Sequence, residues 1–235
     1  MNKIISKIPN TITLCNLLSG CVAIIMAFKG NEPVGALPGW EWCCVFIFAA
    51  AVFDFFDGFA ARLLKAYSEI GRELDSLADL VSFGVAPGLM IFNIMQANTP
   101  AEYAWLNYAA LTIPAFGALR LARFNVADAG MTTFRGLPIP ANAMFWIGLA
   151  GWINSYRYPD VTLMVLMIVL ISMCMVSRIP MFSLKFKTWG LRDNFRRYVI
   201  LIAAVAFVAI YGLAGFAWTI VLYLAISLFC RPQTA

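Results

Sequence analysis

AAAVFDFFDGFAARLLKAYSEIGRELDSLADLVSFGVAPG, residues 49–88, is the stretch on which the reading of this chain turns. Most of it is as apolar as a transmembrane helix, yet Asp54, Asp57, Asp75 and Asp79 lie where the bilayer should be. An ionised carboxylate at such a depth is unfavourable by several kcal/mol unless a partner or a metal compensates it. Four together therefore mark a functional site.

The rest of the chain supports a membrane setting. Of its 235 residues 62% are hydrophobic and only 12% charged, with a mean hydropathy of +0.81; a soluble domain keeps about 25% charged residues. Water is absent from the hydrocarbon core, so the backbone must satisfy itself and the apolar stretches must be helices. The expected fold is an all-α polytopic membrane helix bundle, forming one domain over residues 1–235. The net charge of +5 and a pI near 9.0 do not indicate nucleic acid, because the basic residues alternate along the chain instead of forming one stripe with interleaved aromatics. No histidine is present, which removes the commonest general base and the commonest zinc ligand together. The six cysteines (Cys15, Cys21, Cys43, Cys44, Cys174, Cys230) lack a CxxC spacing and read as small hydrophobes of the core. Lys3 and Lys7 ahead of TITLCNLLSGCVAIIMAF (11–28) resemble a signal peptide in charge, but no convincing cleavage site follows, and the segment reads as a retained first helix.

A helix needs about 20 apolar residues to cross the hydrocarbon core. That ruler gives about eight spans, near 10–28, 39–64, 73–97, 103–124, 138–156, 160–178, 196–212 and 214–230, with Gly212 and Gly215 marking the turn inside the last apolar run. With the N terminus inside, every lysine and arginine except Lys29 and Arg157 falls on the inner side. The positive-inside bias thus places both termini in the cytoplasm, in a cytoplasmic (inner) membrane. The polar linker 177–197 mixes basic residues with Phe182, Phe186 and Trp189; it reads either as an interfacial segment on anionic headgroups or as an ordinary positive inner loop.

In this topology Asp54 and Asp57 occupy the last turns of one helix and Asp75 and Asp79 the first turns of the next. Spacings of three and four put each pair on one helix face, so all four carboxylates can converge. Asp54 lies about 12 Å along the helix from Arg62, recessed from the inner surface but reachable from it. Mutual repulsion would force protonation unless cations intervene, and an all-oxygen donor set favours Mg²⁺ or Mn²⁺. Two such ions would suit phosphoryl transfer. Gly58 and Ala61 leave room for a bulky ligand, Arg62 suits a phosphate or carboxylate, and Gly71 would let the chain turn closely between the helices. Taken singly, these small residues equally read as helix-packing positions, and the aspartates admit a cation or proton transporter. A transporter should show inverted repeats or broken helix pairs, and the sequence has neither.

The pattern D-x2-D-G-x2-A-R-x8-G-x3-D-x3-D, filled by Asp54, Asp57, Gly58, Ala61, Arg62, Gly71, Asp75 and Asp79, resembles the signature of the CDP-alcohol phosphatidyltransferases. The resemblance implies that Asp54, Asp57 and Asp75, helped by Asp79, hold two divalent ions. It further implies that Asp54, Gly58, Ala61, Arg62, Gly71 and Asp75 receive the CDP moiety, and that Asp79 is the catalytic base for the acceptor hydroxyl. It also implies a homodimer.

PNTITLCNLLSG (9–20), SLADLVSFGVAPG (76–88), ALRLARFN (118–125) and FRGLPIPANA (134–143) resemble the serine-using bacterial members of that family. The implied substrates are CDP-diacylglycerol and L-serine. Serine carries a carboxylate and an ammonium, so Arg120, Arg123, Asn125 and Ser82 are the candidate acceptor-binding residues. The same arginines would serve glycerol 3-phosphate, or would simply anchor their helix to anionic headgroups; glycerol 3-phosphate and inositol stay open as acceptors. Pro138 and Pro140 read as the start of the fifth helix.

Overall fold

The structure is a computed structural model that describes residues 7–127, 136–181 and 190–229. Several features read from the sequence lie outside those residues: Lys3, Phe134 and Arg135, the middle of the polar linker with Phe182, Lys185, Phe186, Lys187 and Trp189, and Cys230 and Arg231 at the end.

The expected all-α bundle is what forms. Helix α1 (Ile8–Lys29) opens with Pro9 in its first turn, where a missing N–H is harmless. A short hairpin follows, β1 (Pro33–Val34) pairing antiparallel with β2 (Leu37–Pro38). Trp42 Nε1 donates to the Val34 carbonyl at 2.8 Å and ties the hairpin to α2 (Gly39–Leu63). The chain then reverses over five residues. Lys65, at φ 50°, takes the left-handed conformation past the end of α2. Ser68 caps α3 (Glu69–Asp79), its Oγ accepting from the Gly71 N–H at 3.0 Å.

From Asp79 the helix continues with a changed ladder. Residues Leu80–Val85 form π turns before α4 (Ala86–Asn98). The Ala86 N–H reaches back five residues to Val81, and the next residue, Pro87, has no N–H to offer the Phe83 carbonyl. The proline accounts for the broken register. A 3₁₀ segment (Ala101–Leu111) then leads into α5 (Thr112–Ala127). The third and fourth spans of the sequence reading are thus each built from two helical geometries, where one regular helix was expected. The later helices are α6 (Ile139–Ser155), α7 (Val161–Val176), α8 (Leu191–Tyr211) and α9 (Ala214–Phe229).

Four helical stretches among the described residues are long and apolar enough to cross a membrane: Ile8–Lys29, Gly39–Leu63, Glu69–Asn98 and Asn194–Tyr211. Helices α7 and α9 are apolar but shorter. Large apolar side chains lie exposed along the helices, Leu18, Ile25 and Phe28 on α1, Leu166 and Leu170 on α7, and Ile202, Val205 and Ile210 on α8. Lipid is the solvent that suits such surfaces. The chain divides into two compact units, Met1–Leu121 and Ala122–Ala235.

In the first unit α1 runs along α2 and also meets α3, the π segment and α4. Small residues make this possible: Ala23, Ala27, Cys43, Ala50 and Ala78 are buried with Ile47 and Phe83. In the second unit α9 packs on α6 and α8. A methyl group on Gly148 would strike the Ala217 backbone, so the close approach of α6 and α9 requires glycine there. The turn expected at Gly212 and Gly215 falls at Gly212 and Leu213, where Gly212 adopts φ 58° and ψ −137°, a combination open only to glycine; Gly215 lies instead in the first turn of α9, against the Phe207 backbone. The described cysteines carry free thiols; Cys43 and Cys44 are buried core residues as expected, but Cys15 and Cys174 are half-buried and Cys21 is exposed, so the expectation of core cysteines holds for two of the described five.

Candidate active site

Two consecutive helices supply the carboxylates. The last turns of α2 carry Asp54 and Asp57, whereas α3 begins earlier than the sequence predicts, so that Asp75 lies in its second half and Asp79 is its final residue. Residues 64–68 connect the two helices, and both pack on α1. Asp54, Asp57 and Asp75 each offer a carboxylate oxygen, and the three oxygens lie within 4.8 Å of one another. Asp57 is buried, and the other two are half-buried. Asp57 Oδ2 and Asp75 Oδ1 are both shielded from water with no hydrogen-bond partner. Three convergent carboxylates with orphaned buried oxygens need a compensating cation, and an all-oxygen donor set fits a hard divalent ion. The residues therefore suit the metal that the sequence suggests.

Asp79 is held differently. It stands outside that trio, within electrostatic reach of Asp54 and Asp75, and its Oδ1 accepts from Asn16 Nδ2 at 3.4 Å. Asn16 belongs to α1, a helix to which the sequence reading assigned no site residue. Helix α1 in fact forms a third wall: Thr13 stands beside Asp57, Asn16 beside Asp79, and Gly20 against Ser82. The polar residues Thr13 and Asn16 inside an apolar helix were the available signal. Hydropathy alone could not say which neighbour they would face.

The remaining candidates separate clearly. At Gly58 an added Cβ would find nothing within 4 Å, so its smallness serves no helix contact among the described residues. Ala61 is half-buried and Arg62 exposed at the end of α2. Gly71 corrects an expectation. It lies in the first turn of α3, past the reversal, and what its missing side chain accommodates is Ser68 Oγ at 2.9 Å and Asn10 Oδ1 at 3.0 Å. The tight turn falls to Lys65 instead. Ser82 is fully buried, and its hydroxyl donates to the Asn16 carbonyl at 3.0 Å. Arg120 is half-buried on α5. Further along the same helix, Arg123 is exposed and its Nη1 donates to the Val176 carbonyl at the end of α7, 3.1 Å away. Asn125 is half-buried within the last turn of α5.

The family model described as CDP-alcohol phosphatidyltransferase matches residues 6–182, three quarters of the chain. The chain belongs to the CDP-alcohol phosphatidyltransferase family. The match takes in α1 to α7 and runs well past residue 143, the end of the last segment that resembles the family. Among similar proteins, the CDP-diacylglycerol–serine O-phosphatidyltransferase of Bacillus subtilis is 38% identical over 156 residues, covering 66% of this chain and 79% of that one. The enzyme of the same name from Mycobacterium leprae is 36% identical over 189 residues, 74% of this chain and 57% of that one. The one from Methanocaldococcus jannaschii is 33% identical over 173 residues, 73% and 74% of the two chains. As a CDP-alcohol phosphatidyltransferase, the chain presents its family signature on α2 and α3, and the carboxylates of that signature are the ones that the fold gathers.

Proposed function

We propose that this chain transfers the phosphatidyl group of CDP-diacylglycerol to the hydroxyl of L-serine, giving phosphatidylserine and CMP. The observation that carries the reading is the trio Asp54, Asp57 and Asp75 with Asp79 at its side, in a chain whose similar proteins share one activity name. Family membership favours phosphatidyl transfer over a cation or proton pathway for these carboxylates.

The four aspartates would hold two divalent ions, Mg²⁺ or Mn²⁺, which when bound neutralise the pyrophosphate and stabilise the leaving CMP. Asp54, Gly58, Ala61, Arg62, Gly71 and Asp75 would receive the CDP moiety, with the open space at Gly58 giving the nucleotide its closest approach to α2. Asp79 accepts the proton of the serine hydroxyl. The hydroxyl oxygen forms a bond to the phosphatidyl phosphorus, and the bond from that phosphorus to the CMP phosphate oxygen breaks, the electron pair leaving with CMP. Arg120, Arg123 and Asn125 are the proposed acceptor-binding residues, and a guanidinium matches the serine carboxylate in a bidentate pair; Ser82, buried with its hydroxyl given to the Asn16 carbonyl, would instead support the site from behind.

The lysine and arginine bias supports a cytoplasmic active site in the inner membrane with both termini inside. The diacyl tails would then stay in the bilayer while serine and CMP exchange with the cytoplasm. A single functional domain over 1–235 and assembly as a homodimer belong to the same proposal, the latter on family resemblance alone.

Release of CMP by purified protein in detergent tests the reading, with CDP-diacylglycerol and Mn²⁺ and with L-serine, glycerol 3-phosphate or inositol offered separately. The expected result is release that depends on serine and metal and is abolished by Asp79→Asn. Release with another alcohol would overturn the acceptor, and no release with any of the three would overturn the reaction.

A further inference from the structure

Asn16 is fully buried on α1, in a helix whose other buried side chains are mostly small. Its Nδ2 has a bond to Asp79, and its Oδ1 is buried with no partner. A buried acceptor left unpaired is unfavourable by roughly 1–3 kcal/mol. A half-satisfied amide is therefore a poor device for stabilising a helix contact. What it does provide is a donor at one oxygen of Asp79, leaving the other oxygen to a second partner.

The surroundings fix that donor closely. The Asn16 carbonyl accepts from Ser82 Oγ at 3.0 Å, and Ser82 lies three residues past Asp79 in the π segment. One turn along α1, Gly20 lies flush against the same residue, where a Cβ would sit 2.9 Å from Ser82 Cα and 3.0 Å from its nitrogen. Backbone thus meets backbone just beyond Asn16, and α1 cannot shift against the Asp79 helix without breaking this contact. π turns are frequent at functional sites because they re-aim the residues around them. Here they follow Asp79 directly.

We infer that Asn16 is a positioning residue for the transfer: its amide holds Oδ1 of Asp79 so that the second carboxylate oxygen meets the acceptor hydroxyl. This rests on Asp79 being the base in the proposed reaction. Misplacing a reacting group by about 1 Å can lower a rate about 100-fold, so removing the amide should act on turnover and leave binding of the nucleotide lipid intact.

The test replaces Asn16 with Leu, which keeps volume without polar atoms, and with Ala as a second variant. Both are compared with wild type for kcat, for the CDP-diacylglycerol KM, and for melting temperature in detergent with and without Mn²⁺. The expected result is a kcat lower by about 10- to 100-fold, a CDP-diacylglycerol KM within about twofold, and a melting temperature at or above wild type. The Mn²⁺-induced rise in melting temperature should be kept. Unchanged kcat overturns the inference. A fall in kcat that tracks a lower melting temperature, or a lost Mn²⁺ response, also overturns it, because Asn16 would then be a folding or metal-site residue. If the Leu variant does not fold, the Ala variant decides by the same criteria. Wild-type protein that releases no CMP with serine, glycerol 3-phosphate or inositol would instead refute the proposed function, and the inference with it.

Discussion

Gly58→Ala separates two readings of a glycine that the sequence left open. A glycine inside a transmembrane helix usually lets another helix approach; at such a site, added bulk destabilises by about 1–3 kcal/mol. Gly58 lies well inside α2, and an added Cβ would meet no atom within 4 Å. The methyl group therefore incurs no steric penalty and removes the entropic disadvantage of glycine in a helix, a gain of roughly 0.5–1 kcal/mol. For a chain of this size that gain corresponds to a rise in melting temperature of about 1–4 °C. Activity should move the other way. If the empty space beside Gly58 is where the nucleotide lies, the methyl group occupies volume that the ligand needs, and the CDP-diacylglycerol KM should rise about tenfold or more, at about 1.4 kcal/mol per decade. The assay pairs a detergent melting curve with initial rates over a range of CDP-diacylglycerol at saturating serine. A variant that melts lower than wild type would show that Gly58 packs against protein. One that melts higher with an unchanged KM would show that no ligand uses the space; either result refutes the reasoning.

Two further predictions concern the metal site and the turn between α8 and α9. Mn²⁺ should raise the melting temperature of the wild type by mass action on the folded state, and Asp75→Asn, which removes a charge from the trio within 4.8 Å, should abolish that rise; a full response in the variant would place the ion elsewhere. Gly212→Ala adds a Cβ that would meet no neighbour within 4 Å but forces alanine into φ 58° and ψ −137°. The expected loss is about 1–3 kcal/mol of purely backbone origin, read as a lower melting temperature, and unchanged melting would mean that the turn can adopt another conformation.

Much of the molecule was legible in its residues. Runs of about 20 apolar residues impose helices because lipid leaves the backbone no other partner, and the observed α1, α2 and α6 start and stop close to where the hydropathy does. The break at Gly212 was readable because one apolar run was too long for a single crossing. The pairing of Asp54 with Asp57 and of Asp75 with Asp79, each on one helix face, followed from helical period alone, and the hard-ion character of the site followed from its all-oxygen donor set. Interruptions of the helical ladder were not legible. The π turns after Asp79 depend on Val81, Ala86 and Pro87 acting together, and the 3₁₀ geometry over Ala101–Leu111 leaves the same apolar pattern as an α-helix.

The sequence by itself thus determined the solvent, the helices and the chemistry of the site, since those depend on composition and on spacing along one helix. Tertiary structure decided which carboxylates meet: three share a point and the fourth turns to Asn16. It also decided that Gly58 borders open space, whereas Gly71 lies flush against Ser68 and Asn10. The physical reason is the same in each case. Periodicity fixes the face on which a side chain lies, but the neighbour opposite that face is set by how closely α1 packs on α3 and the π segment, through contacts between residues more than 60 positions apart.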